Sequence, residues 1–376
     1  VIDINNLYWG LGGIAFTFFV HYFFVTVVLG LSVIIPIFEI KGRISKDDDF
    51  IKFARRLTSY LIRVDLFAGV MATWLTVFLA GYWPSLLYIA TNVLFYPIVL
   101  AIAGIMIAIV SMGLYWYTWD RMGPKAHITV GLFMMIGALL VPFGMSSIFA
   151  TIDFPYGVTT ESVSGLTLFV PNGQNPFGNP IYIPLALYTW FISIALTSFI
   201  VLSYSWKKGK DKDSTEFSKA FSASRLMTII FSVLSTITFF ITLSEFKANS
   251  QYLYSQMSLH FYLQISEIMI IIMMIFSILP FIKSIGYWIA VTGSGISYFF
   301  MMFFEISTNI SRYPYIIVAG KAGIPASEMI NPLFQIPNLL PYFALITFFL
   351  MLITFLATLY LAFIRFPVKG SIEKDY

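Results

Sequence analysis

The chain has 376 residues, of which 59% are hydrophobic and only 11% charged. A soluble domain carries roughly 25% charged residues, so a soluble globular fold is excluded. The net charge of +4 lies in short segments between apolar runs, which argues against a nucleic-acid partner. With no cysteine, disulfides, thiolate metal sites and iron–sulfur clusters are excluded as well.

In chain order, apolar runs fall near 10–40, 57–80, 94–119, 127–149, 181–206, 226–246, 260–282, 286–306 and 338–364. A bilayer core of about 30 Å needs roughly 20 helical residues, so each run is long enough to cross. Lipid offers the backbone no hydrogen-bond partners, which makes each crossing a helix. The first run is too long for a cleavable signal peptide and lacks a small-residue cleavage site, so it is expected to stay as a helix. The expected fold class is all-α, a polytopic membrane helix bundle of about nine transmembrane helices in a lipid bilayer, read as one domain over 1–376. The 39 Phe, 22 Tyr and 8 Trp suit a lipid-facing surface and headgroup belts.

Orientation follows from Lys and Arg. The segments 41–63, 120–126, 207–225, 281–285 and the tail after Ile364 hold 19 of the 22 basic residues. The remaining three are Lys247, Arg312 and Lys321. The positive-inside rule then places the N-terminus outside and the C-terminus in the cytoplasm. The other-side loops at 150–180 and 307–337 are long, nearly uncharged and rich in Pro, Gly and Asn, which marks them as functional or partner-covered.

Ionisable residues within spans are costly and are therefore functional candidates. His21 lies near the middle of the first run, and neutral imidazole is a common haem ligand. The competing reading is a buried histidine bonded to a neighbouring carbonyl. Asp65 sits beside Arg63 in the second run. Glu267 and His260 are seven residues apart, near one helical face. They suit a proton relay, a quinone headgroup or, the preferred reading, a bond to each other. Glu305 and Arg312 are expected to pair at the outer surface. The turn Trp119-Asp120-Arg121-Met122 lets Asp120 cap a backbone end or pair with Arg121. No phosphate loop, zinc spacing or nucleophile–histidine–acid constellation is visible, and no catalytic residue is assigned.

Several segments resemble subunit I of the cytochrome bd-type quinol oxidases. FTFFVHYFFVTVVLGLSVIIPIFE (16–39) is similar to that family's opening helix, with its histidine, Leu-Gly and closing Glu. DLFAGVMATWLTVFLAGYW (65–83) resembles its second helix, and YWYTWDRMGPKAHITVGLFMMIGALL (115–140) its Trp-Asp-Arg turn and the histidine that follows. IDFPYG (152–157) and SRYPY (311–315) resemble its outer-loop entry and its Gly-Arg-Gln-Pro-Trp motif.

The resemblance implies that His21 matches a haem-iron ligand. It also implies two glutamates in the third helix, one a haem ligand and both tied to proton supply, whose places here hold Leu100 and Ala108. The family's histidine early in the fifth helix has no counterpart in 181–206. Its methionine ligand corresponds to Met269, with Glu267 standing where the family has an arginine. A further glutamate ligand corresponds to Asn309, with Glu305 one turn earlier as the substitute. The quinol-binding loop is reduced to about 247–259. The implied function is a degenerate subunit-I-like membrane subunit of a quinol:oxygen oxidoreductase, mainly a structural partner of a haem-bearing cytochrome bd-type subunit. At most one haem is expected, through His21; quinol is expected at the partner, and the location is a prokaryotic cell (inner) membrane. The alternative is a haem-free quinone-binding membrane anchor of another respiratory electron-transfer complex. A transporter is disfavoured, because no pair of interrupted spans recurs in two halves.

Overall fold

Long helices follow the apolar runs, and four of them outgrow their runs at both ends. The computed structural model describes residues 8–85, 87, 94–163, 166–172, 175–212, 215–282, 287–319, 321–325 and 339–365. In order, the helices are α1 (Tyr8–Ser45), α2 (Asp48–Tyr82), α3 (Phe95–Tyr117), α4 (Pro124–Asp153), α5 (Tyr182–Lys212), α6 (Thr215–Asn249), α7 (Gln251–Leu259), α8 (Phe261–Ile282), α9 (Tyr287–Arg312) and α10 (Leu339–Leu359). Among the described residues, nine of them are long and apolar enough to cross a membrane. The overrun has a simple cause: an apolar run marks the part in lipid, whereas Lys, Arg, Glu and Ser carry the same helix on into the headgroups. Thus α6 begins at Thr215, eleven residues before the expected span at 226.

Two antiparallel hairpins appear inside segments expected only as loops. Strands β1 (Val158–Val163) and β2 (Leu166–Pro171) pair Val158 with Pro171 and Val163 with Leu166. Strands β3 (Tyr315–Ala319) and β4 (Ala322–Pro325) pair Tyr315 with Pro325. Both hairpins follow helices, α4 and α9, at one end of the bundle, the hairpin end. The other end carries the Lys- and Arg-rich turns and is the basic end.

Turn chemistry at the basic end is local. Lys46 takes a left-handed φ of 53°, and the Asp47 N–H returns to the Gly42 carbonyl at 2.8 Å, which closes α1. The Asp47 carboxylate then accepts from the Asp49 N–H and caps α2. Gly123 and Pro124 open α4, with proline in the first turn where no N–H is needed. Ionic contacts gather the turns: Lys219 donates to Asp47 and Asp49, and Arg56 pairs with Glu216. Asp120, expected to cap a helix or pair with Arg121, instead accepts from both terminal nitrogens of Arg55. The Arg121 guanidinium lies over the Tyr117 ring.

Helices α1 and α5 are the centre; 72% of each apolar window is buried, against 22% for α2 and 17% for α10. Small and hydroxyl residues let the helices approach closely. One face of α6 reads Ser224, Thr228, Ser232, Ser235, Thr238 and Thr242, all buried. Several of these hydroxyls bond to carbonyls one turn back, as Thr228 does to Ser224 and Thr242 to Thr238. Between α3 and α4 the seam is tighter. A Cβ on Gly137 would lie 2.5 Å from the Ala108 backbone nitrogen, and one on Gly144 at 2.5 Å from that of Ala101.

Candidate functional site

Helix α1 divides into two unequal halves. From Thr26 to Pro36 every residue is buried, so the helix is packed on all sides. From Val20 to Val25 every residue keeps accessible surface, and six consecutive residues cover the full helical circumference. His21 lies in the second stretch. Its Nδ1 donates to the Ala68 carbonyl of α2 at 3.0 Å, because a carbonyl can only accept. The bland reading, a histidine bonded to a neighbouring carbonyl, is therefore what this contact looks like. It is also the arrangement that orients a metal-ligating imidazole: with Nδ1 protonated, the neutral ring presents a bare Nε2 lone pair.

Near this stretch, toward the hairpin end, lies a buried polar cluster. Tyr22 of α1 and Glu305 of α9 face one another there. Arg312, the last residue of α9, donates to the Asp153 carboxylate at the end of α4 and to Asn309. The expected Glu305–Arg312 surface pair is thus corrected. Arg312 is 9% exposed and Asp153 3% exposed, so the ion pair is an internal one between α4 and α9. Glu305 and Arg312 are seven apart on one helix, about 10 Å along the axis, and the guanidinium reaches sideways instead. Close by, the hydroxyls of Tyr188, Ser307 and Ser311 are buried without hydrogen-bond partners. Such atoms in native interiors are normally met by ordered water or a ligand.

A second buried cluster, at the basic end, joins α1, α3 and α4. Glu39 is 0% exposed, Tyr115 0% and His127 1%. His127 Nδ1 lies 2.9 Å from Glu39 Oε2, and Nε2 lies 2.9 Å from the Tyr115 carbonyl oxygen. The two ring nitrogens thus face different elements, Nδ1 the Glu39 carboxyl of α1 and Nε2 the Tyr115 carbonyl of α3. The Tyr115 hydroxyl also donates to Glu39, and Arg43 approaches it at 3.4 Å. Every polar atom of this cluster is answered by protein.

The remaining candidates are scattered. Glu267 and Met269 are half-buried on α8, and Met269 packs against the main core. The expected Glu267–His260 bond does not form among the described residues. His260 is the extended residue between α7 and α8 (φ −96°, ψ 135°), and this break removes the helical register that a seven-residue spacing assumed. Asp65 is half-buried with no ion pair among the described residues, while Arg63 lies over the Tyr60 ring.

Haem is the cofactor that the sequence resemblance implies, and the residues fit it unevenly. His21 would supply one nitrogen donor to its iron. Ala108, where the resemblance expects a glutamate, lies in the glycine seam of α3 and α4, with backbone against backbone and no donor atom. Leu100 offers no donor either, and Asn309 is spent on Arg312. A porphyrin edge does not fit at Ala108. Sequence reasoning missed Glu39, Tyr115 and Asp153, and it passed over Tyr22 and Tyr188. The signals were weak: one carboxylate at each end of a span, and tyrosines in an aromatic-rich chain.

The comparisons agree with this architecture. The model of one protein family, described as cytochrome bd terminal oxidase subunit I, matches residues 13–252. The chain is 28% identical over 121 residues to a putative cytochrome bd menaquinol oxidase subunit I of Bacillus subtilis (strain 168). That stretch covers 31% of this chain and 27% of the relative's own length. Among solved structures, a chain of the bd oxidase from Geobacillus thermodenitrificans superposes with a TM-score of 0.80. The superposition covers 98% of this chain and 100% of that one at 16% identity, a likeness of fold alone.

Proposed function

The chain belongs to the cytochrome bd terminal oxidase subunit I family, and from that premise we propose that it is a degenerate, mainly structural subunit of a quinol:oxygen oxidoreductase. It packs against a haem-bearing subunit in a prokaryotic cell membrane, with its N-terminus outside. It holds at most one haem, through His21, and the quinol is oxidised at the partner. The observation that carries this reading is the α3–α4 seam. A Cβ on Gly137 would meet the Ala108 backbone, so that helix pair is built for close packing and not for gripping iron. Haem iron is held and tuned through its axial side chains, and a chain without them gives the metal no grip. When bound, haem supplies one-electron and oxygen chemistry. What this chain contributes is an oriented imidazole at His21 and a scaffold locked at the basic end by Glu39 and His127.

Co-purification tests the proposal. A tag on this chain is expected to bring down a haem-bearing membrane subunit in a fixed ratio. Recovery of the chain alone, monomeric and stable in detergent, contradicts it.

One observation favours a second reading, a haem-free quinone-binding anchor. The side chains of Glu267 and His260 make no hydrogen bond with the described residues, which suits a quinone headgroup. Quinone content separates the two: a quinone retained by the wild type and lost in Glu267→Gln, with no haem lost, supports the anchor.

A further inference from the structure

We propose that the cavity beside the turn between α3 and α4 binds one anionic phospholipid, with its phosphate held at Arg121 and an acyl chain laid along the exposed face of α3. The cavity lies at the basic end and holds about 200 Å³. Its lining includes Arg55 of α2, Trp116 and Tyr117 of α3, and Trp119, Asp120 and Arg121 of the turn.

The charges of this lining do not balance. Two guanidinium groups stand against one carboxylate, and Arg55 donates to both oxygens of Asp120. Arg121 is exposed and forms no ion pair among the described residues. Its guanidinium lies 4.2 Å from the centre of the Tyr117 ring. A ring face attracts a cation without cancelling its charge. The N–H fork of Arg121 therefore stays available to a phosphate, the anion that a guanidinium grips with two parallel bonds.

The position of the cavity selects a lipid over a soluble anion. Trp116, Tyr117 and Trp119 gather where the apolar run ends, the arrangement that sits at headgroup level. From Tyr117 one face of α3 runs inward through Leu114, Val110 and Met106, all exposed and aligned by their spacing. Beside them Gly113 leaves open space, with nothing within 4 Å of where a Cβ would lie. The stretch from Met106 to Tyr117 rises roughly 16 Å, about one leaflet of a core of about 30 Å. A phosphate at Arg121 thus has an apolar track of one chain's length leading away from it. A soluble phosphate would meet the cation and leave that track unused. This holds whether or not haem is bound at His21.

Native mass spectrometry of the intact assembly, stripped of lipid in detergent and titrated with phosphatidylglycerol, tests the site. One bound phosphatidylglycerol, favoured over phosphatidylcholine, is expected to respond to Arg121. Arg121→Gln, which breaks no ion pair among the described residues, is expected to weaken its binding about tenfold. Arg121→Lys keeps the charge without the fork and is expected to weaken it less. Lys46→Gln removes a cation from the neighbouring turn between α1 and α2 and is expected to change nothing. Binding unchanged in Arg121→Gln, or reduced equally by Lys46→Gln, overturns the proposal, because the lipid would then answer only the surface charge as a whole. Equal binding of phosphatidylcholine at this site overturns it too. So does displacement of the lipid by an equal concentration of inorganic phosphate, which would make the cavity a site for a soluble anion.

Discussion

Two polar clusters sit inside the same bundle, and they are built on opposite terms. At the basic end, Glu39, His127 and Tyr115 answer one another completely, with both imidazole nitrogens and both carboxylate oxygens engaged. At the hairpin end, Arg312 and Asp153 pair, but Glu305 makes no ion pair among the described residues, and three buried hydroxyls have no partner. Burying charge is repaid only when geometry and hydrogen bonding are complete. A closed cluster therefore acts as a fastener, and an open one leaves room for something the chain does not supply. The packing of α1 repeats the lesson, being solid from Thr26 to Pro36 and loose from Val20 to Val25.

Substitutions sharpen this contrast. The largest effect is expected for His127→Leu, which strands the Glu39 carboxylate; removing one partner of a buried pair costs about 3–5 kcal/mol. Thermal unfolding in detergent reads it, and Glu39→Leu combined with His127→Leu is expected to recover much of the loss. Arg312→Met is expected to cost less than His127→Leu, because the unpartnered hydroxyls of Tyr188, Ser307 and Ser311 mark a cluster that protein groups close less completely. Equal losses at the two ends would erase the distinction drawn between them. Gly137→Ala forces α3 from α4 and is expected to cost about 1–3 kcal/mol, the usual penalty of overpacking. Ser311→Ala is expected to change stability by no more than about 0.5 kcal/mol, because no protein partner is left behind.

Much of the fold was legible because lipid imposes a coarse rule. Each apolar run is a helix, and the membrane-spanning segments of α1 to α6 and α8 to α10 could be counted from hydropathy. Helix ends at the headgroups were the least legible, because hydropathy stops there while the backbone continues to Lys212 or begins at Thr215. The first hairpin did have a signal: VTTESV and LTLFV are rich in β-branched residues on either side of a Ser-Gly pair. The sites were harder. His21 stood out alone in an apolar run, and its place on α1 needed no partner to be noticed. Glu39 and His127 are 88 residues apart, and each looked like an ordinary residue at the edge of a span. Asp153 and Arg312 are 159 apart, and Arg312 had a nearer glutamate on its own helix to suggest the wrong pair.

The central claim is that this member keeps its family's scaffold while giving up most of its hold on iron. Haem stoichiometry of the purified assembly, for the wild type and for His21→Ala, tests it most directly. The account predicts at most one haem assignable to this chain, lost with the imidazole while the remaining haems stay with the partner. Two or three haems that remain with this chain after His21→Ala would contradict it.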